Sequence, residues 1–304
     1  VTARVHNGVR RAKLLESPVR APYPTDWVMK FLARRAIPNF EYVDETGVFR
    51  RRLYAPDGWL EAWVDGATLR VRVPTGRDRA DSLARVKRIF DADHDPAPVS
   101  AHLSLHDRFA PHVLAMPGLR VPGAWDGFEL AVRAILGQQV SVERMTRLTQ
   151  VLIERYGDGD FPSAAVLAHE NPAGIGIPGA RGGAIQELAR RVAAGDLEIS
   201  AAMDHAALRR ELCSIPGIGP WTAEYIALRA GRDADAFPDS DWVVLKMLGT
   251  TAAQARKIAE PWRPWRAYAL MYLWYASSAA KARLASETAA PTRVAPRRAS
   301  KRSR

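Results

Sequence analysis

The sequence predicts an α+β unit, an antiparallel sheet with helices, followed by an all-α unit. Two observations carry this. Apolar and polar residues alternate over Phe49–Tyr54, Trp59–Val64 and Thr68–Val73, separated by turn signals at Pro56–Gly58 and Asp65–Gly66, the pattern of an antiparallel meander. Beyond Ala101 the alternation nearly vanishes, and helical periodicity broken by short Gly/Pro turns takes its place. A chain of 304 residues, 47% hydrophobic and 25% charged, is long enough for two cores and is neither a disordered nor a collagen-like composition.

Residues 1–21 read as a flexible basic leader, and residues 22–100 as the α+β unit. A helix is expected over Asp26–Ala36, with Asp26 as N-cap and Trp27, Met29, Phe31, Leu32 and Ile37 on a helical period. After the meander, Ala80–Phe90 sets Leu83, Val86, Ile89 and Phe90 on one helical face. Residues 101–282 form the helical unit, with helices over Gly127–Leu136, Val142–Tyr156, Ser163–Glu170, Ala184–Ala194, Ala206–Ser214, Pro220–Ala230, Trp242–Leu248, Thr251–Ala259 and Arg266–Ala280. Residues 283–304 are rich in Ala, Arg, Ser, Thr and Pro without apolar period, and are expected to be disordered. The string Gly174–Gly179 matches the GxGxxG nucleotide fingerprint, but its flanks read as helices, so a helix–helix turn is expected and no nucleotide cofactor.

The net charge of +11 is concentrated at the ends. Residues 1–20 carry five basic side chains against Glu16, and residues 281–304 carry eight against Glu287, so residues 21–280 balance to zero. Charge alone therefore does not make the core a nucleic-acid binder. A lone cysteine, Cys213, excludes an intrachain disulfide and a four-cysteine metal site, and points to a reducing interior such as the cytoplasm. The histidines are scattered without ligand spacing. No stretch has the length of a bilayer span. The chain begins at Val1 rather than Met, which permits an upstream domain.

The informative segment is residues 212–223, LCSIPGIGPWTA. One helix ends near Ile215, and Pro220 suits the first turn of the next. Gly217 and Gly219 between them leave backbone N–H groups open to a phosphate oxygen, a grip that reads no base sequence. A bare PGxG is more simply a tight turn between helices. Asp241, in FPDSDW at 237–242, is on its own a helix N-cap.

The two together resemble the helix-hairpin-helix DNA glycosylase superfamily, in which an Asp follows the hairpin at about the spacing between Trp221 and Asp241. Residues 128–138 (FELAVRAILGQ), the hairpin with Tyr225, Asp241–Trp242 and residues 262–275 (WRPWRAYALMYLWY) resemble the inducible bacterial 3-methyladenine glycosylase type. The likeness spans roughly residues 22–280. It implies an N-terminal unit folded like one repeat of TATA-binding protein, and a monofunctional enzyme of base excision repair. Such an enzyme flips an alkylated purine from double-stranded DNA, hydrolyses its N-glycosidic bond and leaves an abasic site. The rival reading is a noncatalytic hairpin protein that binds distorted DNA, and a further one is a segment of a larger adaptive-response protein.

The resemblance also assigns roles. Asp241 stabilises the cationic sugar; Trp221, Tyr225, Trp242 and Trp274 form the base pocket; Gly217, Gly219 and Thr222 hold the DNA backbone. Lyase relatives carry a lysine where this chain has Trp221, so no Schiff base is expected. Where the family has a wedge leucine, this chain has Gln139; that residue or a neighbour fills the vacated stack. The family's hairpin implies a monovalent cation, Na+ or K+, on the carbonyls of Cys213, Ile215 and Ile218, with no other cofactor. A monomer in the bacterial cytoplasm, associated with the nucleoid on damage, completes the expectation. Asp239, Trp262, Trp265, Tyr268 and Tyr275 read as a turn residue and core aromatics.

Overall fold

A computed structural model describes residues 12–53 and 58–289, the last eight by backbone alone. Residues 1–11 of the leader, most of the turn expected at Pro56–Gly58 and residues 290–304 of the tail lie outside the described residues.

The alternating segments form β3 (Phe49–Arg52), β4 (Trp59–Asp65) and β5 (Thr68–Val73), flanked by β1 (Lys13–Pro18) and β2 (Glu41–Val43). The sheet order is β1-β5-β4-β3-β2, and every pair is antiparallel. Period-2 patterning puts Leu60, Ala62, Leu69, Val71 and Val73 on the buried face. Strand β1 corrects the expectation of a flexible leader through residue 21, since Lys13 pairs with Val73 and Pro18 with Thr68. Its own sequence offers only Leu14 and Leu15, without alternation; the ladder of β5 holds it as an edge strand.

Helices α1 (Thr25–Ala33) and α2 (Arg79–Phe90) pack on this sheet. Asp26 lies in the first turn of α1 rather than at the cap, which Pro24 occupies. Asp78 caps α2 by accepting the N–H of Asp81.

The helical unit runs α3 (Pro96–Leu103), α4 (Ala110–Ala115), α5 (Gly127–Leu136), α6 (Val142–Tyr156), α7 (Ala164–His169) and α8 (Gly179–Ala194). It continues with α9 (His205–Cys213), α10 (Pro220–Arg229), α11 (Trp242–Leu248), α12 (Ala252–Ile258) and α13 (Arg266–Ala289). Helix α8 starts five residues before the predicted Ala184, because Gly179, Gly182 and Gly183 disguise its first turns. Helix α13 continues to Ala289, so the tail expected to be disordered from residue 283 begins as helix. The GxGxxG string is a 3-10 turn, Pro172–Ile175, ending at left-handed Gly176 and leading into α8, as the flanking helices required.

One continuous apolar core joins the sheet to the helices. At its centre sits a buried quartet of charges. Arg51 of β3 reaches Glu41 of β2 at 2.9 Å and Glu129 of α5 at 2.5 Å, while Arg133 of α5 reaches Glu41 at 2.8 Å and Glu129 at 3.1 Å. Burial opposes ionisation of Glu129, but the two guanidiniums outweigh it and hold the carboxyl below its ordinary value. A second seam is organised by Asp91, a left-handed C-cap of α2. It accepts from the Val121 N–H, Arg232 and the Tyr268 hydroxyl. Fully buried Arg120 closes this seam by donating to the carbonyls of Arg20, Pro22, Asp91 and His94.

Candidate active site

The hairpin forms as its glycines dictate. Helix α9 ends at Cys213, Gly217 takes φ +93°, and Gly219 caps α10 with Pro220 behind it. An added Cβ at Gly217 would come within 3.1 Å of the Ala184 Cβ, so both backbone sign and space require glycine. Gly217 and Gly219 are exposed, and among the described residues their N–H groups have no acceptor. The Thr222 side chain is buried, 3% exposed, and its hydroxyl accepts from Gln138 Nε2 at 3.1 Å, which leaves its backbone N–H as the group that could meet DNA. The same Nε2 donates to the Gly217 carbonyl at 2.9 Å, bracing the end of α5 against the hairpin.

Gln139, next in sequence to that brace, is exposed and holds φ +55°, a left-handed conformation rare for a side chain of this size. It stands as the tip of a tight connection between α5 and α6. Arg181 secures the loop by donating to the Gln138 carbonyl at 2.8 Å.

Asp241 is the N-cap of α11 and also more than a cap. Its Oδ1 accepts the N–H groups of Val243 at 3.0 Å and Val244 at 3.2 Å, and the indole N–H of Trp274 at 3.2 Å. Its Oδ2 accepts the indole N–H of Trp221 at 3.2 Å. The residue is 8% exposed, and among the described residues no Lys, Arg or His pairs with it. Four neutral donors therefore hold a carboxylate whose charge is left uncompensated. Neighbouring Asp239 is instead paired with Arg256 at the surface, as suits a turn residue.

The aromatic rings gather beside this carboxylate. Trp221 and Tyr225, one helical turn apart on α10, stack at 5.4 Å with an interplanar angle of 11°, and Tyr225 lies 6.5 Å from Trp274. Trp242 does not join them. It is 62% exposed, with the Lys246 and Lys281 ammoniums 5.0 and 5.7 Å from its ring. Among the described residues no ring contact links it to Trp221, Tyr225 or Trp274. Trp262 and Tyr268 are buried, and Trp265 and Tyr275 half-buried, all within the core.

Residues that motif reading missed lie behind the rings. Arg229, four residues after Tyr225, donates to its hydroxyl at 2.9 Å and to the carbonyls of Pro122 and Gly123. Arg35, just after α1, faces the same hydroxyl and lies 3.7 Å from the Phe31 ring. Helical i,i+4 spacing could have flagged Arg229; nothing local could have flagged Arg35. Burial raises the Tyr225 phenol, but Arg229 and Arg35 override it and bring it down to about 8.

On the hairpin, Cys213 is exposed, Ile215 and Ile218 are buried, and the Ile215 carbonyl already accepts the Ile218 N–H at 3.0 Å. Among the described residues no cluster of His, Cys, Asp and Glu could hold a metal ion, and no helix is long and apolar enough to cross a membrane.

Comparison with known proteins gives concordant results. A family model described as the AlkA N-terminal domain matches residues 14–126. DNA-3-methyladenine glycosylase 2 of Escherichia coli (strain K12) is 36% identical over 272 residues, 84% of this chain and 94% of that protein. A Mycobacterium tuberculosis protein named as a probable bifunctional transcriptional activator/DNA repair enzyme AlkA is 36% identical over 280 residues, 86% of this chain but 56% of its own length. Among solved structures, a 3-methyladenine DNA-glycosylase from Archaeoglobus fulgidus has the same fold, with a TM-score of 0.71 at 20% identity, covering 85% of this chain and 96% of the other.

Proposed function

The chain belongs to the DNA-3-methyladenine glycosylase 2 family of DNA repair enzymes, and from that premise we propose how its own residues perform the excision. An alkylated purine, 3-methyladenine or a similar base, leaves the duplex and enters the space beside Trp221, Tyr225 and Trp274. The N-glycosidic bond is then hydrolysed, leaving an abasic site. Unstacking costs a few kcal/mol, least at a damaged pair. Stacking of a cationic base on electron-rich rings returns roughly 0.5–2 kcal/mol.

The observation that carries this reading is Asp241, a buried carboxylate bonded only by neutral N–H donors. As the glycosidic bond breaks, positive charge develops on the sugar, and an uncompensated anion fixed in advance stabilises it without reorganising. A quaternised purine leaves as a neutral base, so no separate general acid is needed. The fixed carboxylate also serves to orient the attacking water.

The hairpin N–H groups of Gly217 and Gly219 would take a backbone phosphate, and exposed Gln139 would occupy the stack vacated by the flipped base. A monovalent cation on the Cys213, Ile215 and Ile218 carbonyls would strengthen the phosphate grip. With Trp221 standing where lyase relatives carry lysine, the reaction stops at base release. The enzyme would act as a monomer, where the chromosome lies. A chain that spans 94% of the Escherichia coli relative and 56% of the tuberculosis relative fits either a stand-alone enzyme or the repair segment of a longer protein.

The test is release of free base from methylated duplex DNA by wild type and Asp241→Asn, with strand breaks scored separately. Base release by wild type, its loss in the variant and breaks only after hot alkali support the mechanism. Binding of distorted DNA by both proteins without release by either would leave Asp241 as a cap and the protein as a lesion binder.

A further inference from the structure

Tyr225 is placed unlike an ordinary pocket aromatic. Its ring stacks on Trp221 and borders Trp274, while its hydroxyl is buried between two guanidiniums. Arg229 Nη1 donates to the phenol oxygen at 2.9 Å, and Arg35 faces that oxygen from the other unit of the chain. Neither arginine has a carboxylate partner among the described residues. Arg229 spends its other donors on the Pro122 and Gly123 carbonyls, and Arg35 lies over Phe31. The two repel each other, and burial with that repulsion pulls Arg35 down to about 10. The phenol oxygen is the acceptor that both of them meet. Of the other charged groups nearby, Asp241 of α11 stands beyond the indoles of Trp221 and Trp274. Arg133 of α5 donates to the Arg35 carbonyl at 2.5 Å, Arg34 adjoins Arg35, and Glu41, Arg51 and Glu129 line one cavity with Arg35, Arg133 and Arg229, the two carboxylates taken up by Arg51 and Arg133.

We propose that the Arg35–Tyr225–Arg229 cluster sets the choice between cationic and neutral bases, because two guanidiniums without carboxylate partners converge on the hydroxyl of the ring on which a positively charged purine would stack. This rests on the glycosylase reading and adds a specificity device to it. Bound cation and phenolate stabilise each other reciprocally. A coupling of one pKa unit corresponds to about tenfold in affinity. Preference for a cationic base therefore rises with pH through the range in which Tyr225 ionises, whereas excision of a neutral base does not gain.

The experiment compares kcat/KM for DNA carrying 3-methyladenine, whose charge is fixed, with DNA carrying neutral ethenoadenine, from pH 6.5 to 9. Wild type and Tyr225→Phe are assayed, with Arg35→Gln as a second variant that keeps the phenol. Ultraviolet difference spectra of the free proteins follow tyrosine ionisation independently of activity. In wild type the ratio should rise roughly tenfold around pH 8, alongside ionisation of one tyrosine. Tyr225→Phe should lose both steps, and Arg35→Gln should move both to higher pH. A flat wild-type ratio with normal excision, or an unchanged step in Tyr225→Phe, overturns the proposal alone. A tyrosine that titrates near pH 8 in a protein releasing no base from either substrate overturns the glycosylase reading, and the proposal with it.

Discussion

Replacing Glu129 by Gln tests whether the buried quartet holds the two units together. Glu129 is 4% exposed; Arg51 binds both of its oxygens, at 3.1 and 2.5 Å, and Arg133 binds one at 3.1 Å. The substitution removes one negative charge from a balanced set of four and turns an amide donor toward a guanidinium. Breaking a buried pair from one side costs roughly 3–5 kcal/mol, because the remaining charge stays buried. Against a total stability of about 5–15 kcal/mol, that is a large share. Urea unfolding followed by tryptophan fluorescence measures it, and Glu129→Met with Arg133→Met, which restores charge balance, should recover part of the loss. The pH dependence has a definite sign. The folded carboxyl lies below its unfolded value, so its stabilisation is complete above the unfolded value of about 4.3 and is lost as pH falls through the folded value. Glu129→Gln should lack that acid-side loss. A destabilisation under about 1 kcal/mol, or an unchanged acid limb, would refute the reasoning.

Four further outcomes follow from particular residues. Gly127→Ala places a Cβ 1.9 Å from the Ile199 carbonyl oxygen and should lower stability by about 3 kcal/mol in thermal melts. Gln139→Gly relieves a left-handed side chain and should stabilise the protein by about 1 kcal/mol while slowing base release, if the side chain fills the stack; unchanged excision would remove it as the wedge. Trp242→Ala, on an exposed ring, should leave stability within about 0.5 kcal/mol and base release near wild type. Trp274→Ala removes a donor from Asp241 and should slow release by roughly 10²-fold.

The sheet's middle was legible in sequence because β3, β4 and β5 alternate, and β4 and β5 are joined by a tight turn. Strand β1 was not, since its two leucines acquire meaning only against β5. Most helices announced themselves by period, whereas α3 and α4 were masked by prolines in their first turns, Pro96 and Pro98 in one and Pro111 in the other. Within the site, Asp241, Trp221 and Tyr225 were readable because hairpin and carboxylate keep a fixed spacing. Trp242 stands apart from the other rings, 62% exposed, because adjacency to Asp241 in sequence does not by itself bring a side chain into the cluster. Arg35 and the Gln138 brace were invisible for a different reason. Their partners lie far off in the chain, 79 residues in the case of Gln138 and Gly217, and only folding brings them together.

The Gln138 amide gives the protein a gauge. Because it ties the hairpin turn to the loop whose tip is Gln139, the point proposed to hold a phosphate and the point proposed to probe the stack keep a constant separation. On the proposed roles, a duplex gripped at one would be presented to the other at a set number of nucleotides, and insertion would be tried at one step per grip. Lengthening the Gln138 arm or cutting it should not abolish either contact. It should blur which nucleotide is tested, and errors of position rather than loss of rate would be the mark of its absence.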